Sequence, residues 1–225
     1  LYLMVESLKN VKLTYFKNVN GGGTIPRMIL HYKGIPFTNN SVDRETEWPE
    51  LKPKVEFGFL PQLEVEGKVF NQSLAIYFYL AKRLDLTGKS LDDEYNIISA
   101  ICCSNDFEDL MYKSVFPSND NEKNPEVLKK NTEEFHSKLE SLFGELEARY
   151  VRFGSKKYYL GESISLVDFW IAYVIGLFFF KYFKDACETP VRKAAPSLSK
   201  LAERLLSEDL KSFLESDLFL KDSIY

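Results

Sequence analysis

The hydrophobic pattern at the start of the chain predicts a strand, a helix and a second strand. Residues 11–16 combine β-branched and aromatic side chains, as strands do. Residues 24–34 have helical features, because Thr24 can cap the first turn and Gly34 can end the last one. Residues 35–42 again carry a strand-like apolar pattern, although asparagines weaken it. Parallel pairing of the two strands requires the helix as a crossover connection.

The next segment predicts two antiparallel strands and another helix. Two prolines within residues 48–59 favour a loop or a broken helix. Residues 60–70 are typical of a hairpin that turns at Glu66 and Gly67. Residues 73–84 place apolar side chains at helical spacing. The order βαβ, loop, ββα indicates a small mixed sheet with helices packed on it.

The pattern changes after a polar linker at residues 85–95, beyond which the sequence contains no convincing strand. Four helical stretches are predicted, with polar segments at 118–125 and 188–196 between them: residues 91–115, 125–150, 165–184 and 195–216. The predicted fold is therefore an α/β domain over residues 1–86 followed by an all-α domain over residues 87–225. The most apolar run, residues 169–180, is shorter than the about 20 residues that span a bilayer, so a buried helix is favoured.

Composition narrows the possible function classes. The 225 residues are 45% hydrophobic and 28% charged, which is typical of a globular protein. A net charge of −4 argues against a nucleic-acid-binding protein. The three cysteines form no C-x-x-C pair and the two histidines lie far apart, so we expect no metal site. So few cysteines favour a reducing compartment, the cytoplasm.

Three consecutive glycines, Gly21 to Gly23, lie between the first strand and the first helix, where nucleotide-binding proteins hold phosphates. The phosphate-binding patterns do not fit. No Lys-Ser or Lys-Thr pair follows the glycines, and residues 21–26 do not match G-x-G-x-x-G. We therefore expect the glycines to serve turn geometry, because glycine alone accepts a positive φ without steric cost.

Three further signals follow one another along the first domain. Tyr15 lies near the end of the first strand. Leu60-Pro61 begins the third strand, where the proline is either a plain strand-start residue or a cis turn. Gln72 and Ser73 precede the helix of the hairpin unit. Ser73 either caps that helix or leaves its N–H groups to bind an anion.

A predicted capping box of Ser165 and Asp168 starts a helix of the second domain. In this order, the signals resemble the cytosolic glutathione transferases, and most closely their sigma class. The resemblance rests on VKLTYF, WPELK, FGFLPQLEVEGKVFNQSLAIYFYLAKRLDLTGKS and YLGESISLVDFW, and covers residues 11–205. It implies a thioredoxin-like N-terminal domain, glutathione as co-substrate and a small electrophile as second substrate. It also implies a cytoplasmic homodimer with a role in detoxification and no membrane association.

The resemblance also implies roles for individual residues. Tyr15 would donate a hydrogen bond to the glutathione sulfur and favour its thiolate. The γ-glutamyl carboxylate would lie at the helix N-terminus, at Gln72 and Ser73. The backbone of Leu60, before a cis Pro61, would pair with the cysteinyl unit like an added strand.

Other implied contacts complete the two substrate sites. Trp48 and Lys52 would lie near the glycyl carboxylate, with Phe59 beside the same tripeptide. Asp106 of the partner subunit would reach the γ-glutamyl amine, although neighbouring acidic residues make this alignment ambiguous. The helix predicted over 91–115 would line the electrophile site, for which Tyr112 on this helix and Phe116 just beyond it are candidates, with core packing as the alternative.

One departure from the resemblance concerns the loop after Tyr15. Sigma-class enzymes usually carry arginines there, whereas this chain has KNVNGGGT. Loss of a cation near the sulfur would weaken thiol activation, and Arg27, further along in the helix, is expected to be structural.

Three function classes remain open from the sequence. The first is an enzyme that uses the glutathione thiolate for conjugation, isomerisation of the prostaglandin D synthase type, or peroxide reduction. The second is a non-catalytic binding or crystallin-like protein on the same fold, which the altered loop favours. The third is a thiol-transferring oxidoreductase, which Tyr15 opposes because that chemistry needs a cysteine at this position.

Overall fold

A computed structural model of the chain describes residues 8–103, 111, 113–114 and 124–221. The chain forms two compact units. One unit ends at Thr87 and also includes the chain from Leu205 onward, and the other is Gly88–Arg204.

The first unit is built on a four-stranded mixed sheet with the order β2-β1-β3-β4. Its strands are β1 (Val11–Phe16), β2 (Phe37–Val42), β3 (Gln62–Val65) and β4 (Lys68–Asn71). β1 pairs with β2 in parallel and with β3 antiparallel, and β3 pairs antiparallel with β4. This confirms the predicted mixed sheet.

Three helices belong to this sheet: α1 (Thr24–Tyr32), α2 (Trp48–Leu51) and α3 (Ser73–Arg83). Short 3₁₀ turns at Lys52–Lys54 and Glu56–Gly58 follow α2, which confirms the broken helix. The hairpin turns at Glu66 and Gly67, whose φ angles of 53° and 78° suit a tight two-residue turn.

The second unit is helical within the part of the chain that the structure describes, apart from one isolated β-bridge between Tyr158 and Gly161. Its helices begin with α4 (Leu91–Cys102), α5 (Pro125–Arg152) and α6 (Leu166–Ile171), which continues as a π-helix (Ala172–Tyr182). They are followed by α7 (Lys184–Ala194), α8 (Pro196–Ser207) and, in the first unit, α9 (Lys211–Glu215). The predicted succession of an α/β domain and an all-helical domain is therefore confirmed.

The expectation of a polar connection at residues 188–196 was wrong, because α7 continues through Pro190 to Ala194. Proline has no N–H for the carbonyl four residues earlier, which is that of Ala186. Instead, His136 Nε2 lies 2.8 Å from the Ala186 carbonyl oxygen and must donate to it. The single helix expected over residues 195–216 is also interrupted, between α8 and α9, where the Leu210 N–H bonds the Leu205 carbonyl.

The apolar run at residues 169–180 is buried, as expected. Phe169, Ile175 and Phe179 are fully shielded from solvent. Among the described residues, no helix has both the length and the apolar character needed to cross a membrane.

Asp168 forms the predicted capping box with Ser165 at the start of α6. Its carboxylate accepts hydrogen bonds from the Ser165 N–H, the Ser165 hydroxyl and the Tyr159 N–H, each at 2.8 Å. Burial raises the pKa of Asp168 to about 6, against the opposing effect of these hydrogen bonds.

Candidate functional site

Tyr15 lies near the C-terminal end of β1, opposite Ser41 of the parallel strand β2. Its side chain is 8% exposed, so the ring belongs to the core of the first unit. The hydroxyl oxygen accepts a hydrogen bond from the Gly22 N–H at 2.9 Å. The strand end therefore directs a buried phenol towards the glycine loop.

The three glycines lie against the Tyr15 ring. A Cβ atom on Gly21 would lie 2.4 Å from the Tyr15 hydroxyl oxygen, and one on Gly23 would lie 2.7 Å from Cγ. The φ angles of Gly21, Gly22 and Gly23 are not positive. The expectation that these glycines supply a positive φ was therefore wrong. They allow the backbone to approach the ring, which a side chain would prevent.

Gly22 brings several predicted site residues together. Its carbonyl accepts a hydrogen bond from the Tyr77 hydroxyl at 2.9 Å. A Cβ on Gly22 would lie 3.3 Å from Pro61 Cδ and 3.4 Å from Ser73 Cβ. Tyr15, the start of β3 and the N-terminus of α3 therefore converge on this one residue.

Arg27 of α1 is 1% exposed and lies beside Tyr15, with its guanidinium carbon 5.7 Å from the ring centroid. Its Nε donates to Asn39 Oδ1 at 3.0 Å, and its Nη1 donates to the Val19 carbonyl at 3.4 Å. Burial lowers the pKa of Arg27 to about 10, and the charge of Tyr15, when ionised, partly offsets this shift. A cation is therefore present near the phenol, although it does not come from the loop.

The N-terminus of α3 has no side-chain cap from its N-cap residue. Gln72 is the N-cap, with φ 72° and ψ 119°, and Ser73 is the first residue of the helix. The alternative in which Ser73 is the capping residue is therefore wrong. The first N–H groups of α3 lie next to Gly22, where the helix dipole favours a negative charge.

The other predicted residues of the first unit lie between β2 and β3. Trp48 meets Phe16, the neighbour of Tyr15, edge-on with ring centroids 5.3 Å apart. Lys52 extends along Gly58, and both Lys52 and Phe59 are exposed.

The peptide bond between Leu60 and Pro61 is cis. Asp106, Tyr112 and Phe116 lie outside the described residues.

Two domain families match the chain. The N-terminal domain of glutathione S-transferase matches residues 23–87, and its C-terminal domain matches residues 105–217. The chain belongs to the glutathione S-transferase family. No group of three His, Cys, Asp or Glu side chains that could hold a metal ion occurs in the described part of this glutathione S-transferase.

Relatives of this glutathione S-transferase include enzymes from nematodes and vertebrates. Glutathione S-transferase 1 of Ascaris suum is 46% identical over 96 residues, which is 43% of this chain and 46% of the relative. Hematopoietic prostaglandin D synthase of Gallus gallus is 30% identical over 201 residues, which is 89% of this chain and 88% of the relative. The crystal structure of monomeric Na-GST-3 from Necator americanus has a TM-score of 0.76 and 29% identity, and covers 92% of this chain and 97% of that one.

Sequence reasoning did not single out two residues that lie beside the glycine loop and the Tyr15 ring. Tyr77 could have been found, because it lies four residues after Ser73 and so on the same face of α3. Arg27 was expected to be structural. The sequence does not show its distance from Tyr15, because that distance depends on how α1 packs against β1.

Proposed function

We propose that this glutathione S-transferase conjugates glutathione to small electrophiles and that Tyr15 is its catalytic residue. The observation that carries the proposal is the buried Tyr15 hydroxyl, held 2.9 Å from the Gly22 N–H beside the N-terminus of α3. This arrangement suits a hydroxyl that donates to a thiolate bound at the same point.

The chemistry needs an ionised thiol. A free thiol has a pKa of about 8.5, so its thiolate is the minor species at neutral pH. Lowering that pKa by ~2 units requires about 2.7 kcal/mol of preferential stabilisation of the thiolate. One hydrogen bond to a charged acceptor contributes about 1.5–3 kcal/mol, so Tyr15 can supply most of it. The thiol proton passes to solvent. The sulfur lone pair then forms a C–S bond, and a leaving group departs with its electron pair or a double bond accepts the electrons.

We propose that glutathione lies along the first unit. The uncapped N-terminus of α3, at Gln72 and Ser73, is suited to the γ-glutamyl carboxylate because its N–H groups and dipole favour an anion. The Leu60 backbone would pair with the cysteinyl unit beside Tyr15.

The remaining contacts complete the proposed glutathione site. Lys52 is an exposed cation for the glycyl carboxylate, with Trp48 and Phe59 at the same end of the tripeptide. Asp106 of a partner subunit would bind the γ-glutamyl amine. Tyr112 and Phe116 would contact the electrophile.

We further propose that residues 1–86 bind glutathione and that residues 87–225 contribute the electrophile site, as in a sigma-class enzyme of the cytoplasm. Cys102, Cys103 and Cys187, all of which the structure describes, are thiols, which supports a reducing compartment. Detoxification of electrophiles would be the corresponding role.

The test compares wild-type protein with Tyr15→Phe, using glutathione and a panel of model electrophiles. We expect the variant to lose at least about tenfold in kcat, about 1.4 kcal/mol of transition-state stabilisation, with glutathione affinity little changed. Tyr79→Phe, at a tyrosine of α3 whose hydroxyl accepts from Arg83, is the matched control and should retain full activity. Equal activity of Tyr15→Phe and wild type would exclude the Tyr15 mechanism.

A second candidate function is a glutathione-dependent isomerisation. It is favoured by the likeness to hematopoietic prostaglandin D synthase of Gallus gallus over most of both chains. Assaying the same preparation for prostaglandin D formation tests it, and absence of product rejects it. Failure of the wild-type protein to bind immobilised glutathione would instead favour a non-catalytic role.

A further inference from the structure

The Gly22 residue is held by two tyrosine hydroxyls, one on each side of its Cα atom. Its N–H donates to the Tyr15 oxygen at 2.9 Å, and its carbonyl accepts from the Tyr77 hydroxyl at 2.9 Å. These two groups belong to successive peptide planes that meet at the Gly22 Cα. Tyr77 therefore restrains the peptide plane that follows the Gly22 Cα, and with it the rotation about Gly22, without touching Tyr15 through this bond.

Such a restraint matters because the loop is intrinsically adaptable. Three consecutive glycines have the greatest backbone freedom of any tripeptide. The direction of the Gly22 N–H therefore depends on the hydrogen bonds that hold the loop, which include one from the Thr24 N–H to the Gly21 carbonyl. The Tyr77 side chain, in contrast to the loop, is held in place, because it is 5% exposed and lies within α3. Its hydroxyl therefore connects the loop backbone to a packed helix and restrains the loop.

The Gly22 N–H affects the chemistry of the Tyr15 oxygen. When Tyr15 donates its proton towards a sulfur, its oxygen gains negative charge. An N–H that donates to that oxygen stabilises this charge, and linked hydrogen bonds strengthen one another. The buried Arg27 guanidinium, 5.7 Å from the ring centroid, acts in the same direction. The loop can thus support thiol ionisation without an arginine of its own.

We propose that Tyr77 is a positioning residue for conjugation. Its hydroxyl holds the Gly22 peptide so that the Gly22 N–H strengthens Tyr15 as a hydrogen-bond donor to the glutathione sulfur. The proposal rests on the proposed function, in which Tyr15 acts on that sulfur.

Tyr77→Phe removes the hydroxyl and keeps the ring. We expect kcat/KM for a model electrophile to fall about three- to tenfold near pH 6.5, where the thiolate is scarce and depends on Tyr15. The loss should shrink as the pH rises, because the thiol then ionises without help. The apparent pKa of bound glutathione should increase by about 0.5–1 unit, and the KM for glutathione should stay within about twofold of wild type. Tyr79→Phe, on the same helix with a hydroxyl that accepts from Arg83, is the matched control and should show no shift.

A double-mutant cycle separates positioning from a general structural role. In a Tyr15→Phe background, Tyr77→Phe should have no further effect on kcat/KM, because the hydrogen bond from Tyr15 to the sulfur that Tyr77 supports is already absent. A Tyr77→Phe profile that superimposes on wild type, or an equal loss in both backgrounds, would overturn the proposal while leaving the proposed function intact. A wild-type protein without conjugating activity would overturn both.

Discussion

At the scale of single residues, the lack of a side chain on Gly21 and Gly23 is as important for the position of Tyr15 as the side chains around it. Tyr15 can be buried with its hydroxyl next to a backbone N–H only because Gly21 and Gly23 leave room for its ring. The same N–H would be out of reach behind a larger residue.

Gly23→Ala tests this close approach. Its Cβ would lie within 3.0 Å of three Tyr15 atoms, including 2.7 Å from Cγ. We expect unfolding free energy to fall by about 1–3 kcal/mol through overpacking, measured by urea titration, and activity to fall at least as far as in Tyr15→Phe.

Gly144→Ala is the matched control, in the middle of α5. Among the described residues, no heavy atom outside the helix backbone lies within 4 Å of the position its Cβ would take. Alanine there should stabilise the protein by about 0.5–1 kcal/mol, because it is the better helix former. A Gly23→Ala protein as stable as wild type would show that the loop can move away from the ring.

At the scale of secondary-structure elements, two helices begin with a capping box, one of which is exposed to solvent and the other buried. Ser90 and Asp93 form an exposed capping box at α4, and Ser165 and Asp168 form a buried one at α6. Hydrogen bonds to the Asp93 carboxylate lower its pKa, whereas burial raises that of Asp168 to about 6.

We expect Asp168→Asn to reduce the unfolding free energy by about 2–4 kcal/mol at about pH 4, because a buried carboxyl group that accepts three hydrogen bonds is lost. Asp93→Asn is the exposed counterpart and should cost about 1 kcal/mol or less. Urea titration of both variants measures the difference. Equal costs would mean that burial adds nothing to this cap.

The advantage of wild type over Asp168→Asn should also depend on pH. Burial raises the pKa of Asp168 from 3.8 in the unfolded chain to about 6 in the folded protein, so between these values the folded state binds the proton more tightly. Stability from this group is therefore present at about pH 4 and is lost, by up to about 3 kcal/mol, as the pH rises to about 6. A pH-independent difference between the two proteins would contradict this assignment.

The sequence predicts elements well where the determinants are local. β1, the turn at Glu66 and Gly67, and the capping box of Asp168 all depend on neighbouring residues. Prediction failed at Pro190, because His136, 54 positions earlier, donates to the carbonyl that the proline leaves without a helical partner.

The prediction that the three consecutive glycines supply a positive φ also failed. A positive φ and a close approach demand the same residue type, and only the packed position of the Tyr15 ring distinguishes them. The contacts of Tyr77 with Gly22 and of Arg27 with the Tyr15 ring were hidden for the same reason, since both depend on where α1 and α3 pack.

At the scale of the whole molecule, the proposed homodimer can be tested on α4. Leu91, Tyr95 and Ile98 are 79%, 66% and 42% exposed and recur at helical spacing, so they form one apolar face. Exposed apolar faces of this kind mark association surfaces. The likeness to monomeric Na-GST-3 shows that the assembly must be measured for this chain.

We expect wild-type protein to sediment as a dimer and Tyr95→Glu to shift it towards the 26.1 kDa monomer, because a charge on the apolar face opposes its burial. Val151→Glu, at an exposed apolar position of α5, should leave the dimer intact. A wild-type protein that remains monomeric at every concentration would remove both the dimer and the proposed role of Asp106.

The segment from α9 to Leu220 has a consequence for the order in which the protein folds during synthesis. Asn20, just before the glycines, donates to the Leu220 carbonyl at 2.8 Å, and His31 lies 3.1 Å from the Ser212 hydroxyl. These contacts join residues up to 200 positions apart. The ribosome delivers the residues up to Thr87 first, whereas the hydrogen bond from Asn20 to the Leu220 carbonyl can form only after residue 220 has left the exit tunnel. We therefore expect the loop beside Tyr15 to reach its final contacts only after the helical unit between them has been synthesised, although the loop itself is translated before that unit.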